Sequence, residues 1–215
     1  MVSAAKAVIK RIAKSPGKGK LPLPPSLVAR MIEASTDSLI DVRDLFLIIL
    51  MMAGFLRESE ASDLEVLDIW LELHGDTMLL YVLVVKSKTD QGRRGHTIVI
   101  APALDMLEAC PVAFYKRWMK LRDPKAKYLF HQKTSPTKLA HTTPNGIIKK
   151  LLKRIHVNPD PYGSHSCRKG GCTEAARKGI AIRILKKHRN WISDAIFTYI
   201  PESMEERISV SQAVF

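Results

Sequence analysis

Cysteine, acidic side chains and long apolar runs are all in short supply in this 215-residue chain, and each shortage closes a class of function. The three cysteines, Cys110, Cys167 and Cys172, form no disulfide ladder and point to a reducing compartment. His165 beside Cys167 and Cys172 hints at metal binding, but no C-x-x-C partner accompanies them, so no zinc site is expected. The apolar run from Leu45 to Leu56, flanked by Arg43 and Arg57, falls short of the roughly 20 residues that cross a bilayer. A buried helix is expected there, and no membrane partner. The segment MVSAAKAVIKRIAKSPGKGK scatters lysines through an amphipathic stretch without a continuous apolar core, which excludes a signal peptide. It reads as a basic arm touching DNA, a linker, or a nuclear targeting segment. No internal repeat and no low-complexity tract is present.

Positive charge is abundant. Against 21 Asp plus Glu stand 34 Lys plus Arg, giving a net charge of +13 and an isoelectric point near 9.8. Such an imbalance is the electrostatic footprint of a protein that meets a polyanion. With 46% hydrophobic residues the chain can also bury a proper core, so a globular enzyme acting on a polyanion is allowed.

The pattern of elements is α+β and mostly helical, with a small three-stranded antiparallel sheet. LPLPP closes the basic tail, and Pro24 and Pro25 suit the first turn of a helix through Val28, Met31 and Ile32. A second helix carries Val42, Leu45, Phe46, Ile49 and Leu50 at helical spacing and ends near Gly54, and Arg57 opens a short third one. Leu67 to Leu73, Met78 to Val85 and Thr97 to Ile100 are rich in Val, Ile and Leu and are separated by HGD and TDQGRRG, the signature of three strands joined by turns. Lys86 and Lys88 would lie where the second strand meets the third. The remainder reads as helical, broken at Pro111, Pro124, Pro136, Pro144 and Pro159 to Pro161. Domain boundaries follow: a basic arm or linker over 1–21, a main domain over 22–200, and a tail over 201–215 whose Met204, Ile208, Val210, Val214 and Phe215 would suit docking on a neighbouring protomer.

The chemistry is concentrated in SHSCRKGG, which holds His165 and Arg168, and in HRNWISDAIFTYI, which ends near Tyr199. A phenol with a pKa near 10 attacks poorly at neutral pH unless a neighbour takes its proton and cations hold the phosphate it attacks. His165 and Arg168 supply a base and a cation, and GFLRESE adds Arg57 and VLVVKSKTDQGRRG adds Lys86 and Lys88. Taken singly each has a bland explanation. Arg57 could cap a helix or pair with Glu60, the lysines could be solvated hairpin charges, and His165, Trp191 and Tyr199 could be structural. Lys149, Lys150, Lys153 and Arg154 on one helix, and Lys186, Lys187 and Arg189 on another, are expected to meet DNA phosphates near such a site.

Taken in order, Arg57, Lys88, His165, Arg168, Trp191 and Tyr199 resemble the catalytic series of the tyrosine recombinases, the family of phage integrases, and the resemblance spans most of the chain after about residue 22. Glu60 belongs to the Gly-x-x-Arg-x-x-Glu pattern of the first box, and His165-x-x-Arg168 with Gly170 and Gly171 matches the second. The R-[ST]-K-[ST] pattern around the family lysine favours Lys88 over Lys86. The segment W-x-S-D-A-[IF]-x-x-Y is similar to the nucleophile segment of eukaryotic mobile-element recombinases, the DIRS-like elements and Cryptons. In most bacterial members the auxiliary His or Trp aligns with the position held here by Asn190, one step before Trp191, so His188, Asn190 and Trp191 all stay open for that role.

The resemblance implies a site-specific recombinase that cuts and rejoins DNA through a 3′-phosphotyrosyl link on Tyr199. Arg57 and Arg168 would clamp the non-bridging oxygens with paired N–H donors, Lys88 would protonate the leaving 5′ oxygen, and His165 would accept the tyrosine proton or hold the phosphate. Trp191 would hydrogen-bond a phosphate oxygen, and Glu60 would orient the cations. Because the covalent link conserves the bond energy, neither ATP nor a metal or other cofactor is implied. The partners implied are double-stranded DNA and further copies of the chain, as a dimer or tetramer on DNA, in the nucleus of a eukaryote or otherwise in the cytoplasm. Two other readings share the residues: a type IB topoisomerase-like enzyme that relaxes supercoils as a monomer, and a domesticated DNA-binding module without catalysis.

Overall fold

A computed structural model describes residues 19–85, 95–191, 196–197 and 212. Within them the chain makes seven α-helices and one sheet of three antiparallel strands in the order β1-β2-β3.

Helix α1 (Pro25–Glu33) starts on the predicted prolines and buries Val28 and Met31. Helix α2 (Leu39–Ala53) is apolar nearly all round, and a helix with no polar face has to be central. Every residue from Asp41 to Met52 is buried. Its start is fixed by Ser38, whose Oγ accepts the backbone N–H of Asp41 at 3.2 Å, and Gly54 closes it. Helix α3 (Glu58–Asp63) follows at once.

Strands β1 (Ile69–His74), β2 (Thr77–Val84) and β3 (His96–Ile100) pair with Ile69 opposite Val82, Leu80 opposite Ile100, and Val82 opposite Ile98. This register puts Ile69, Leu80, Val82, Val84, Ile98 and Ile100 on one face, all buried in the main core. On the other face Trp70 stacks on Tyr81 at 5.5 Å.

Helices α4 (Pro111–Leu121) and α5 (Thr143–Arg154) each carry a proline in the first turn, so Pro111 and Pro144 start helices here where the sequence suggested breaks. Both pack against α2. Residues 122–142 depart from the helical expectation. They form an irregular segment pinned by short pairings, with Leu129 N–H on the Leu64 carbonyl at 2.8 Å, Trp118 Nε1–H on the Leu129 carbonyl at 2.8 Å, and isolated bridges at Glu65–Tyr128 and His131–Lys138. The buried Leu129 and Phe130 anchor it, so apolar burial rather than helical periodicity decides its path.

Helix α6 (Ser164–Arg177) lies against α2 more closely than side chains permit. A Cβ on Gly170 would stand 2.0 Å from the Leu23 carbonyl oxygen, and one on Gly171 2.2 Å from that of Met52. The paired glycines therefore let α6 press on two backbones at once. Leu23 belongs to an extended segment tied by backbone bonds from Leu21 to Pro161 at 2.8 Å and from Leu23 to Ser166 at 2.9 Å. Helix α7 (Ile182–His188) completes the described fold and joins Phe55, Cys172 and Ile196 in a small second cluster through Leu185. All three cysteines are buried and free, and burial pushes Cys167 up to about 12 and Cys172 to about 11. No helix among the described residues is long and apolar enough to cross a membrane.

Candidate active site

The residues after α2 explain the first motif. Phe55 takes a left-handed backbone (φ 49°) that turns the chain, Leu56 is buried, and Arg57 becomes the N-cap of α3. Glu60, at the third position of that helix, reaches back: its Oε2 accepts the Arg57 backbone N–H at 2.7 Å and its Oε1 accepts Arg57 Nη1 at 2.9 Å. This is the glutamate half of a capping box. One carboxylate thus closes the helix start and fixes the Arg57 side chain, with Glu60 itself 5% exposed.

Helix α6 brings the second motif to the same carboxylate. Arg168 is buried, with Nη1 3.9 Å from Glu60 Oε2. His165, one turn earlier, is exposed to solvent. The two residues sit at the spacing that puts helical side chains on neighbouring ground, so an imidazole stands at the surface above a buried guanidinium.

The end of α7 settles how the third motif is laid out. Asn190 N–H bonds to the Lys187 carbonyl at 3.1 Å and Trp191 N–H to that of Lys186 at 2.9 Å, with Asn190 left-handed at φ 52°. This pair of bonds is a Schellman stop, and asparagine is a residue that tolerates its left-handed position. Asn190 is exposed. His188 turns inward, where its Nε2–H donates to the Ala53 carbonyl at 2.9 Å and its ring meets Phe55 edge-on at 5.0 Å. Burial, with the nearby Arg189 charge, outweighs that bond and holds the His188 pKa below its ordinary value. Of the three candidates for the auxiliary position, Trp191 is the one whose ring lies against Arg168. Its ring carries the Arg168 guanidinium at 4.7 Å and stacks on Phe55 at 6.0 Å.

Arg189 corrects an expectation. In sequence it belongs to a basic surface with Lys186 and Lys187, but in the structure it is 4% exposed. Its Nη2 stands 2.5 Å from Glu60 Oε2 and its Nε donates to the Phe55 carbonyl at 3.3 Å. Arg189 stands four residues after the buried Leu185, on the inward face of α7, and a buried carboxylate draws it in. Burial would raise the Glu60 carboxyl, but the Arg189 charge, the Arg57 N–H and the Arg57 charge outweigh burial and hold it below its ordinary value.

Two of the basic residues on α5 are likewise engaged within the fold. Lys150 pairs with the fully buried carboxylate of Asp44. Arg154 reaches Asp41 Oδ1 at 2.9 Å and Ser35 Oγ at 2.8 Å. Lys153 and Lys187 are exposed, and Lys149 and Lys186 half-buried. Lys86, Lys88 and Tyr199 lie outside the described residues, as does the apolar pattern of the tail. Sequence reasoning missed Phe55, whose ring seats both His188 and Trp191, and the inward turn of Arg189; its four-residue step from the apolar Leu185 was the available signal for the latter. Among the described residues no three His, Cys, Asp or Glu side chains gather as a metal site.

The sequence profile of the phage integrase family matches residues 23–202, which contain every element just described. The chain belongs to that family. Among its curated relatives, an integrase/recombinase XerD homolog of Selenomonas ruminantium is 26% identical over 209 residues, covering 94% of this chain and 60% of the relative. The tyrosine recombinase XerA of Pyrococcus horikoshii is 26% identical over 183 residues, covering 83% of this chain and 58% of that protein. This family member thus spans about six-tenths of the length of those relatives. Among solved structures, the XerH site-specific recombinase bound to its difH substrate before cleavage superposes with a TM-score of 0.63 at 18% identity, over 89% of this chain and 54% of that one. At that identity the likeness establishes the fold.

Proposed function

We propose that this phage integrase family member is the catalytic domain of a site-specific DNA recombinase that cuts and rejoins strands through a phosphotyrosyl intermediate. The observation that carries the reading is the convergence of Arg57 and Arg168 on the buried Glu60, with Trp191 laid over Arg168. Guanidiniums held in a fixed frame can present paired donors to the non-bridging oxygens as negative charge builds on them. The Tyr199 oxygen attacks phosphorus, its proton passes to His165 or to water, and the 5′ oxygen leaves with a proton from Lys88, so a 3′-phosphotyrosyl ester and a free 5′ hydroxyl result. Rejoining is the same exchange in reverse. XerH was solved on its DNA substrate, and the net charge of +13 suits the same class of partner. Assembly as a dimer or tetramer on DNA, and a role in the movement of a mobile element suggested by W-x-S-D-A-[IF]-x-x-Y, belong to this proposal.

The test is a suicide-substrate assay. The chain is incubated with nicked DNA carrying a candidate terminal repeat, beside Tyr199→Phe, and resolved on a denaturing gel. A covalent adduct lost in the variant is expected. Adduct on any supercoiled plasmid, with relaxation by the monomer, would shift the reading to a topoisomerase-like enzyme. Binding without adduct on any DNA would leave a binding module.

A further inference from the structure

Arg189 is the cation whose structural place departs furthest from its place in the sequence. Its side chain is 3% exposed, and the Glu60 side chain it faces is 2% exposed. Its Nη2 is directed at Glu60 and its Nε at the Phe55 carbonyl, so two edges of the guanidinium are turned to partners within the fold. Glu60 Oε2 is a shared point: it accepts the Arg57 N–H at 2.7 Å, faces Arg189 at 2.5 Å, and has Arg168 at 3.9 Å.

We propose that Arg189 is a positioning residue of the arginine cluster, holding the Glu60 carboxylate that Arg57 and Arg168 also face and so fixing where those two guanidiniums stand. The proposal rests on the recombinase reading of this site. Two consequences of the geometry carry it. The first is electrostatic. Arg189 places a cation on the carboxylate oxygen that also accepts the Arg57 N–H, where burial strengthens such an interaction. Without Arg189 the carboxylate would pull harder on Arg57 and Arg168. The second is geometric. Arg189 Nε on the Phe55 carbonyl and Nη2 on Glu60 tie the end of α7 to the start of α3. The Schellman stop then delivers Trp191, two residues on, over Arg168. Arg189 therefore fixes the frame in which two guanidiniums and an indole meet.

Two variants and two readouts separate this role from a DNA contact. Arg189→Met keeps most of the side-chain volume and removes the charge, and the double variant Glu60→Gln with Arg189→Met removes the buried pair together, which guards against a fold lost to an unpaired carboxylate. The first readout is single-turnover adduct formation at saturating DNA, with DNA affinity measured at several salt concentrations. Arg189→Met should slow adduct formation by roughly tenfold to a hundredfold with the salt dependence of binding unchanged, and the double variant should recover part of that loss. A phosphate contact would do the opposite, lowering the salt slope by about one and leaving the rate at saturation intact; that result would overturn the proposal. The second readout is independent of catalysis. The Glu60 carboxyl, followed by carbon-13 NMR against pH, should titrate at higher pH in Arg189→Met than in the parent chain. An unmoved titration would overturn the proposal, whereas a moved one in a chain that makes no adduct would sink the recombinase reading alone.

Discussion

Two groups of cations in this molecule face acidic side chains, and they are balanced differently. On α5, Lys150 shares the carboxylate of Asp44 with Arg43 of α2, and Arg154 has that of Asp41. Around Glu60, Arg57, Arg168 and Arg189 share one carboxylate. The first arrangement fastens α5 to α2. The second gathers three guanidiniums from separate elements around one buried carboxylate. Residue types are similar in both places; one arrangement braces two helices, and the other draws side chains from three elements to a single point.

The sharpest break in that comparison is to replace one guanidinium of the cluster. Arg168→Lys keeps the charge but loses the forked donors and the planar contact with Trp191, and adduct formation on a suicide substrate should fall by roughly a hundred- to a thousandfold. The seat beneath the cluster comes next. Gly171→Ala puts a methyl where the Met52 carbonyl oxygen would be 2.2 Å away, and the chain should lose about 3 kcal/mol in a urea titration. Acid should then separate the two groups. Asp41 is lowered from 3.8 to about 2, with burial opposing and the Arg154 and Thr36 bonds winning, so its stabilisation is complete above the unfolded value and lost as pH falls through about 2. The urea midpoint should drop between pH 4 and pH 2, and Asp41→Asn should flatten that part of the profile. The smallest effect distinguishes neighbours on α5. Lys153→Ala should lower the salt slope of DNA binding by about one without changing stability, while Lys150→Ala should cost roughly 0.5–1 kcal/mol in a melt through the weakened pair with Asp44.

Much of the architecture was legible because local rules and tertiary needs agreed. Leu39–Ala53 is helical by its apolar spacing, its closing Gly54 is where the sequence puts it, and the strands follow from β-branched runs between turn clusters. Arg57 and Glu60 were legible as a pair because a helix start sets their spacing. Residues 122–142 were not, since Leu129 and Phe130 are held by contacts with residues distant in sequence and no period records them. The same limit governed Arg189, Lys150 and Arg154. A sequence shows how many cations lie on a helix, but which of them have a carboxylate opposite depends on the packing of α2, α3 and α6. Trp191 was one of three candidates until the stop at Asn190 gave each neighbour a direction.

That stop has a consequence for finding such sites in other chains. A catalytic tryptophan or histidine is customarily located by counting back from the tyrosine, and here the count lands on Asn190. The helix end offers a steadier origin: the left-handed residue fixes where the next side chain points, whatever length of chain separates it from Tyr199. An insertion or deletion after Trp191 would change the count and leave that direction untouched, so the segment beyond can drift in length while its starting point stays anchored.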